Sequence, residues 1–286
     1  MHPRDGSCMA SAHRKNKSKK IAGYSLLSVL TLLLLVPNFI PYHFVRLPDT
    51  GYSWEEFDPK LAESIRSVDD LVQRVRAEER KRTTVNDTSR LEIASDLVRR
   101  RFYHGYSFYS LRENWIAAIM SKYLWDDLGA IVEPEHLLRY RMASCSQASI
   151  VLMAALHRLA ISTRKVGMKG HFAVEAYVKG KWFYIDVNEE PDFRRIGGRK
   201  AITDIVNARQ QLRLYSNTKI PCLKLRDMFR RIYFGHPDTF PAPKALAFHW
   251  LTGFLSHWLW TLPALLLSYL LLDGRSRKNA GIIQVT

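Results

Sequence analysis

The sequence is poor in cysteine and lacks the short motifs that mark most metal and nucleotide sites. It has three cysteines, and its ten histidines are scattered, with no Cys-x-x-Cys and no His-Glu-x-x-His pair. A disulfide framework is therefore not indicated, and a metal site is disfavoured. No glycine-rich loop marks a nucleotide site, so we expect no cofactor. If Cys145 forms no disulfide and binds no metal, then its presence needs another explanation, either burial in the core or chemical reactivity.

The chain also lacks the signatures of a nucleic-acid-binding protein, although its net charge is +16. No zinc-finger, RRM or helix-turn-helix pattern is present, so we expect no nucleic-acid partner. Two origins of the charge stay open. One is a domain that works near anionic lipid or an anionic polymer. The second, which we favour, is a plain solvated basic face.

Charge is absent from two long apolar segments. Residues 21–40 are uncharged, and residues 245–272 form a 28-residue stretch without Asp, Glu, Lys or Arg. About 20 apolar residues cross a bilayer, so we predict transmembrane helices at 21–41 and 245–272, with a kink at Pro263. The alternatives are a cleaved signal peptide and a buried core helix. The first apolar run is longer than a signal peptide requires, and no small-residue cleavage site closes it.

Basic residues flank these segments on one side only. Residues 1–20 contain six Lys or Arg and one Asp, and the tail after Leu272 contains three more basic residues. The opposite flanks are sparse in positive charge. The positive-inside rule predicts cytoplasmic tails at 1–20 and 273–286. The domain at 45–240 would then be extracytoplasmic, in the periplasm if the membrane is a bacterial inner membrane.

Between the apolar segments the periodicity alternates between helix and strand. Helical spacing covers 61–82, 111–126 and 144–160, and Ser144 is a suitable N-cap for the last of these. That cap places Cys145 in the first helical turn. Strand-like segments follow at 163–168, 171–178 and 181–187, and Lys179-Gly180 predicts a tight hairpin between the last two.

This hairpin fixes a register. With Lys179 and Gly180 as the loop, Val178 faces Lys181, and Asp186 faces Ala173. His171 is then diagonal to Asp186 on the same sheet face, a separation that long side chains bridge. The other face is apolar from Phe172 to Val187. We therefore expect one core face and a second face that carries polar groups.

The three side chains have complementary chemistry. A helix N-terminus and a neighbouring imidazolium both favour the thiolate form of Cys145. His171 would act as the base, and Asp186 would fix its tautomer. Each residue alone fits a simpler role: a buried cysteine, a structural histidine and an aspartate that caps a turn. The joint pattern favours catalysis.

The same residues carry a family resemblance. Ser144-Cys145 before an apolar helix, residues 161–167 around Arg164, His171-Phe172-Ala173-Val174-Glu175, and Gly180–Asp186 with its Gly-Lys-Trp start together resemble the transglutaminase-like core. The resemblance covers about residues 140–190. It departs at Ala143, Ala160 and Ala173, where the family commonly has Gly, Gly and Trp.

The resemblance implies a fold and a set of roles. The fold would be α+β, with a papain-like core in which a helix bearing the cysteine packs on an antiparallel sheet, flanked here by the two transmembrane helices. Cys145 would be the nucleophile, His171 the base and Asp186 its partner. The activity would be that of a thiol enzyme acting on amide bonds.

We therefore expect a membrane-anchored cysteine enzyme with a peptide or protein amide substrate. It would work through an acyl-thioester, by hydrolysis or by acyl transfer, and we favour hydrolysis. One alternative is a non-catalytic module that binds a peptide or glycan. Another is a scaffold in a membrane assembly, such as one that exports an envelope polymer.

Overall fold

A computed structural model describes residues 6–44, 55–82, 88–216 and 222–282. The side chains of Cys8 and Cys222 lie outside the described part. The helices are α1 (Gly6–Leu35), α2 (Pro59–Ser64), α3 (Val68–Arg80), α4 (Ser89–Arg101), α5 (Leu111–Tyr123), α6 (Pro134–Leu137), α7 (Cys145–Arg158), α8 (Ile202–Asn207), α9 (Gln211–Leu214), α10 (Cys222–Met228), α11 (Pro243–Trp258) and α12 (Thr261–Ile282). The strands are β1 (Tyr103–His104), β2 (Met142–Ala143), β3 (Ser162–Met168), β4 (His171–Val178), β5 (Lys181–Ile185) and β6 (Tyr233–Phe234).

The fold is α+β, and the chain forms two compact units. One unit comprises residues 1–44, 109–129 and 248–286, and the other comprises 45–108 and 130–247. The first unit is helical. Two stretches of the chain are long and apolar enough to span a membrane: Ser18–Phe39, within the first unit, and Pro243–Asp273, which belongs to it from residue 248 onward. None of the first stretch and 11% of the second is buried within the protein, so neither behaves as a core helix. We call the first of the two units the apolar unit and the second the catalytic-candidate unit.

The second apolar segment is not one kinked helix, as the sequence suggested, but two helices. α11 ends at Trp258, and α12 begins at Thr261. Pro263 therefore lies in the first turn of a new helix, where a residue without an N–H loses no hydrogen bond. The break precedes the proline, since the chain restarts its hydrogen-bond ladder with Ala264 N–H donating to Trp260 O.

The helix predicted over 61–82 is likewise two helices, α2 and α3. Ser67 starts α3 through a capping box: its hydroxyl accepts from Asp70 N–H, and the Asp70 carboxylate accepts from Ser67 N–H. These local bonds satisfy N–H groups that a continuous helix would have used differently. The apolar side of α3 is buried, and α3 and α4 both pack on α7.

The main sheet has the strand order β5-β4-β3-β6 and is antiparallel throughout. The predicted hairpin register is confirmed, because Val178 pairs with Lys181 and Val174 with Ile185. Lys179 and Gly180 have φ of 46° and 82°, the left-handed pair that a two-residue hairpin loop requires. α7 packs against β3 and β4.

The second face of the sheet is buried, which corrects the expectation of a single core face. Segments after the hairpin fold back over it and form an apolar cluster with the strand residues Val166, Met168, Ala173 and Tyr184. The covering residues come from the 3-10 turn Phe193–Ile196 and from α8 to α10. An antiparallel sheet covered on both sides gives its polar groups a dry environment.

Candidate active site

The start of α7 holds Cys145 through a cap that two other segments reinforce. Ser144 accepts a hydrogen bond from Gln147 N–H, and the Gln147 side-chain oxygen accepts from Ser144 N–H. The buried Gln147 amide also accepts from Ser107 N–H at 2.9 Å and donates to the carbonyls of Ser107 and Ile131, each at 2.8 Å. The predicted N-cap is thus confirmed, and Cys145 is the first residue of the helix with a free, partly exposed thiol.

His171 and Asp186 meet as the register predicts. His171 begins β4, Asp186 follows β5 directly, and His171 Nε2 lies 2.7 Å from Asp186 Oδ2. The His171 side chain is 8% exposed, and that of Asp186 is fully buried. This bond uses Nε2, so Nδ1 is the ring nitrogen that remains for the thiol.

The electrostatics of the pair favour an imidazolium. Burial lowers the pKa of His171, but the charge and hydrogen bond of Asp186 outweigh it, and Cys145 adds to them through its own hydrogen bond to the imidazole. The pKa of His171 therefore lies well above its ordinary value. Burial raises the pKa of Asp186, but His171 and a hydrogen bond from Tyr215 hold it below its ordinary value. The two side chains therefore form a buried imidazolium–carboxylate ion pair.

Two tyrosines that the sequence analysis missed complete the surroundings of Asp186. Tyr215 Oη donates to Asp186 Oδ2 at 2.5 Å, and Tyr184 Oη lies 2.7 Å from Tyr215 Oη and 3.4 Å from the same carboxylate oxygen. Glu189 N–H binds the other oxygen, Oδ1, at 3.2 Å. The carboxylate is therefore satisfied on both oxygens and fixed in orientation. Tyr184 in β5 lies two residues before Asp186, so the two side chains share a face, a signal that was available in the sequence. Tyr215 is 29 residues from Asp186 and has no local signal.

The other residues of the resemblance form a separate structural cluster on the same sheet. Arg164 pairs with the fully buried Glu175 at 2.6 Å, and its guanidinium lies 4.2 Å from the ring centre of Trp182 and 4.3 Å from that of Phe234. Glu175 also accepts from Ile202 N–H at 2.6 Å. These contacts tie β3, β4 and β5 to the start of α8, so the cluster supports the sheet and does not contact the thiol.

A polar cleft of about 260 Å³ opens beside the start of α7. Ala143 and Ala148, which flank Cys145 in sequence, line it together with His104, Asn188 and Glu189. His104 Nδ1 lies 2.8 Å from Asn188 Oδ1. Burial and the nearby Asp186 raise the pKa of Glu189. Several of the residues that line the cleft are neighbours of Cys145 and Asp186 in sequence, but neither of those two side chains is part of the lining.

Comparison with known proteins adds no name: no family model, no curated protein and no solved structure matches the chain. Any functional conclusion must therefore be argued from the geometry of the site alone. The structure joins two of the predicted site residues directly, His171 and Asp186, and Cys145 interacts electrostatically with the same imidazole.

Proposed function

We propose that this protein is a membrane-anchored cysteine enzyme with a transglutaminase-like core, which cleaves or transfers amide bonds through an acyl-thioester on Cys145. One observation carries the proposal. A single buried imidazole bonds the Asp186 carboxylate through Nε2 at 2.7 Å, and Cys145 is among the side chains that raise the pKa of that imidazole. A structural histidine needs neither a partly exposed thiol nor a helix start beside it.

The first half of the reaction forms the thioester. The thiolate of Cys145 adds to the amide carbonyl carbon, and the oxygen takes up the negative charge. The Cys145 N–H in the first turn of α7 is placed to stabilise that charge. His171 Nδ1 then gives its proton to the amide nitrogen, the C–N bond breaks, and the amine leaves with the acyl group on Sγ.

The second half releases the acyl group. The neutral imidazole of His171 takes a proton from an incoming water or amine, which adds to the thioester carbon. The C–S bond breaks, and the thiolate and the imidazolium are restored. Asp186 keeps its charge throughout and holds Nε2–H, so that Nδ1 faces the reaction. Water as the acceptor gives hydrolysis, which we favour, and an amine gives transfer.

The apolar unit and the charges that flank its apolar stretches support the proposed location of the protein in a membrane. α1 packs on α12, with Tyr24 Oη 3.4 Å from Leu270 O, near the two charge-flanked ends of the apolar stretches. This antiparallel contact supports both tails lying on the same side of the membrane. By the positive-inside rule that side is the cytoplasm, and an envelope peptide or protein is the expected substrate.

Alkylation of the purified full chain in detergent tests the thiol chemistry. Iodoacetamide labels Cys145 faster than Cys222 and Cys8, and His171→Ala slows Cys145 labelling at least tenfold because the thiolate loses its counter-ion. His104→Ala, a change to an exposed imidazole that binds Asn188, serves as the matched control and leaves the rate within about twofold. Equal labelling of Cys145 and Cys222 that His171→Ala does not change would contradict catalysis and favour a binding module.

A further inference from the structure

Helix α5 is interrupted at one residue, and side chains of α11 bond some of the backbone groups that the interruption leaves without helical partners. Asn114 has φ −161° and ψ 81° inside the helix, so the backbone ladder is interrupted there. The freed N–H groups find side-chain partners instead: Ile116 N–H donates to Ser256 Oγ at 3.1 Å, and Ala117 N–H donates to Asn114 Oδ1 at 3.1 Å. A neighbouring hydroxyl that satisfies a broken helix is the solution required where water is absent.

The face of α11 that receives α5 is polar, and large apolar residues dominate the side that is exposed. His249, Thr252 and Ser256 recur at spacings of three and four and are buried. Asn114 Nδ2 donates to Thr252 Oγ1 at 2.9 Å, Ser256 Oγ donates to Asn114 Oδ1 at 3.1 Å, and Trp115 Nε1 donates to Ser256 O at 2.9 Å. The exposed side of α11 carries large apolar residues, with Trp250 74% and Phe254 53% exposed.

These contacts set the depth of α5 along α11. Ser256 is the eleventh residue after Ala245, where the uncharged stretch begins, which corresponds to about 16 Å along a helix. The hydrocarbon core of a bilayer is about 30 Å thick. If α11 enters the membrane near Ala245, then Trp115 and Ile116, which bind Ser256, enter it with α11.

The C-terminal end of α5 presents an apolar tip beside the end of α1. Tyr123, Leu124 and Trp125 are consecutive, and they are 72%, 71% and 63% exposed. The Tyr123 ring lies 6.4 Å from that of Phe44, which follows the apolar stretch of α1. Residues 114–121 carry no charge, and Arg112 and Glu113 precede them. The exposed Lys122 lies next to the tip, and its long aliphatic stem lets the ammonium reach water at the interface. Tyr and Trp at such a position are typical of the membrane–water interface.

We propose that residues 114–125 form a third membrane-embedded element, a re-entrant segment that docks on α11 and contacts lipid through Tyr123, Leu124 and Trp125. The occupant of this exposed surface is the bilayer. The same unit carries the first candidate span and the second from residue 248 onward, and Tyr123 of the tip packs beside Phe44, which follows the first span. Non-helical backbone at membrane depth is tolerated where protein covers it, as α11 covers Asn114 here. The inference rests on membrane insertion of α11 and does not depend on the proposed chemistry at Cys145.

Spin labels on the full chain in lipid nanodiscs test the element directly. One label replaces Leu124 in a background with the three native cysteines changed to serine. The matched control label replaces Asp127, which is exposed three residues later, and a reference label replaces Leu266 on α12, which is 49% exposed. We expect the label at 124 to be accessible to oxygen, which dissolves in lipid, and at least fivefold less accessible to a water-soluble nickel chelate than the label at 127. The label at 266 should show the same pattern. The label at 127 should be open to the chelate.

Two outcomes overturn the proposal. A label at 124 as open to the chelate as the one at 127, with 266 protected, shows that the tip lies in water or meets a soluble partner. Labels at 124 and 266 that are both open show that the apolar unit does not insert at all. Alkylation of Cys145 in the wild-type chain is measured separately, so a failure of the chemistry cannot be mistaken for a failure of this inference.

Discussion

At the residue scale, the His171–Asp186 pair links stability to pH. The pKa of His171 is raised above 6.5, so its contribution is complete below pH 6.5 and is lost as the pH rises through the raised value. The pKa of Asp186 is lowered below 3.8, so its contribution is present above pH 3.8 and is lost as the pH falls through the lowered value. The pair therefore stabilises the fold most between pH 3.8 and 6.5.

Asp186→Asn tests this window, since it keeps the shape and removes the charge. The melting temperature of the variant in detergent should fall furthest below wild type between those two pH values, and the gap should narrow at higher pH. Asp204→Asn, on the exposed side of α8, is the control and should show a small gap that does not vary with pH. A constant gap for Asp186→Asn would mean that the carboxylate acts by packing alone.

Tyr215 offers a second test at the same scale. Its hydroxyl spreads the charge of Asp186, so Tyr215→Phe should concentrate that charge and raise the pKa of His171 further. NMR titration of the His171 side chain measures the shift, and Tyr184→Phe, whose hydroxyl is 3.4 Å from the carboxylate, should shift it less. If Tyr215 served only to pack, its loss would loosen the pair, and the pKa of His171 would fall.

The site residues differ in how far the sequence reveals them. Cys145, His171 and Asp186 follow from rules that act over a few residues: a cap, a two-residue loop and strand alternation. Tyr215 reaches Asp186 across the second face of the sheet, and nothing local to Tyr215 encodes that contact. Long-range packing of this kind is fixed by the tertiary fold, so a single sequence predicts the three candidate residues but not the groups that hold Asp186 in place.

At the element scale, the predicted hairpin is confirmed, whereas two predicted helices are each divided in two. A two-residue hairpin loop requires positive φ at both residues, and the pair Lys179-Gly180 meets that requirement. The sequence of the turn therefore predicted the register of the two strands. Helix continuity is different, because an apolar or amphipathic pattern extends across a break. One break lies before α3, where Ser67 caps the new helix, and the other lies between α11 and α12, before Pro263. At each break, the hydrogen bonds at the helix ends determine where one helix stops and the next begins.

The start of α7 provides the prediction at this scale. Gln147→Glu keeps the capping box but replaces the two amide donors to Ser107 O and Ile131 O with a carboxylate. Two buried carbonyls then lose their partner, so the free energy of unfolding should fall by about 2–3 kcal/mol. Ser144→Ala, which removes the cap alone, should cost about 1 kcal/mol. Denaturant titration in detergent measures both, and a Gln147→Glu protein as stable as wild type would limit Gln147 to capping.

At the scale of the whole molecule, the proposed function depends on the side of the membrane on which Cys145 lies, because that side determines which amides it would meet. The basic tails and the α1–α12 contact both favour one side for the two termini. The Lys179-Gly180 turn belongs to the catalytic-candidate unit and is exposed, so it reports the side on which the thiol lies. Cys8 reports the N-terminal tail and needs no substitution.

A membrane-impermeant maleimide then distinguishes the topologies. In spheroplasts of cells that produce a Lys179→Cys protein without Cys145 and Cys222, position 179 should label at once, because the proposed topology places the unit outside the cytoplasm. Cys8 should label only after detergent opens the membrane. The reverse pattern would place the thiol in the cytoplasm, where envelope peptides are absent, and would redirect the search to cytoplasmic amides. Labelling of both positions in intact spheroplasts would contradict a spanning α1, because no lipid barrier would then separate the tail from the site.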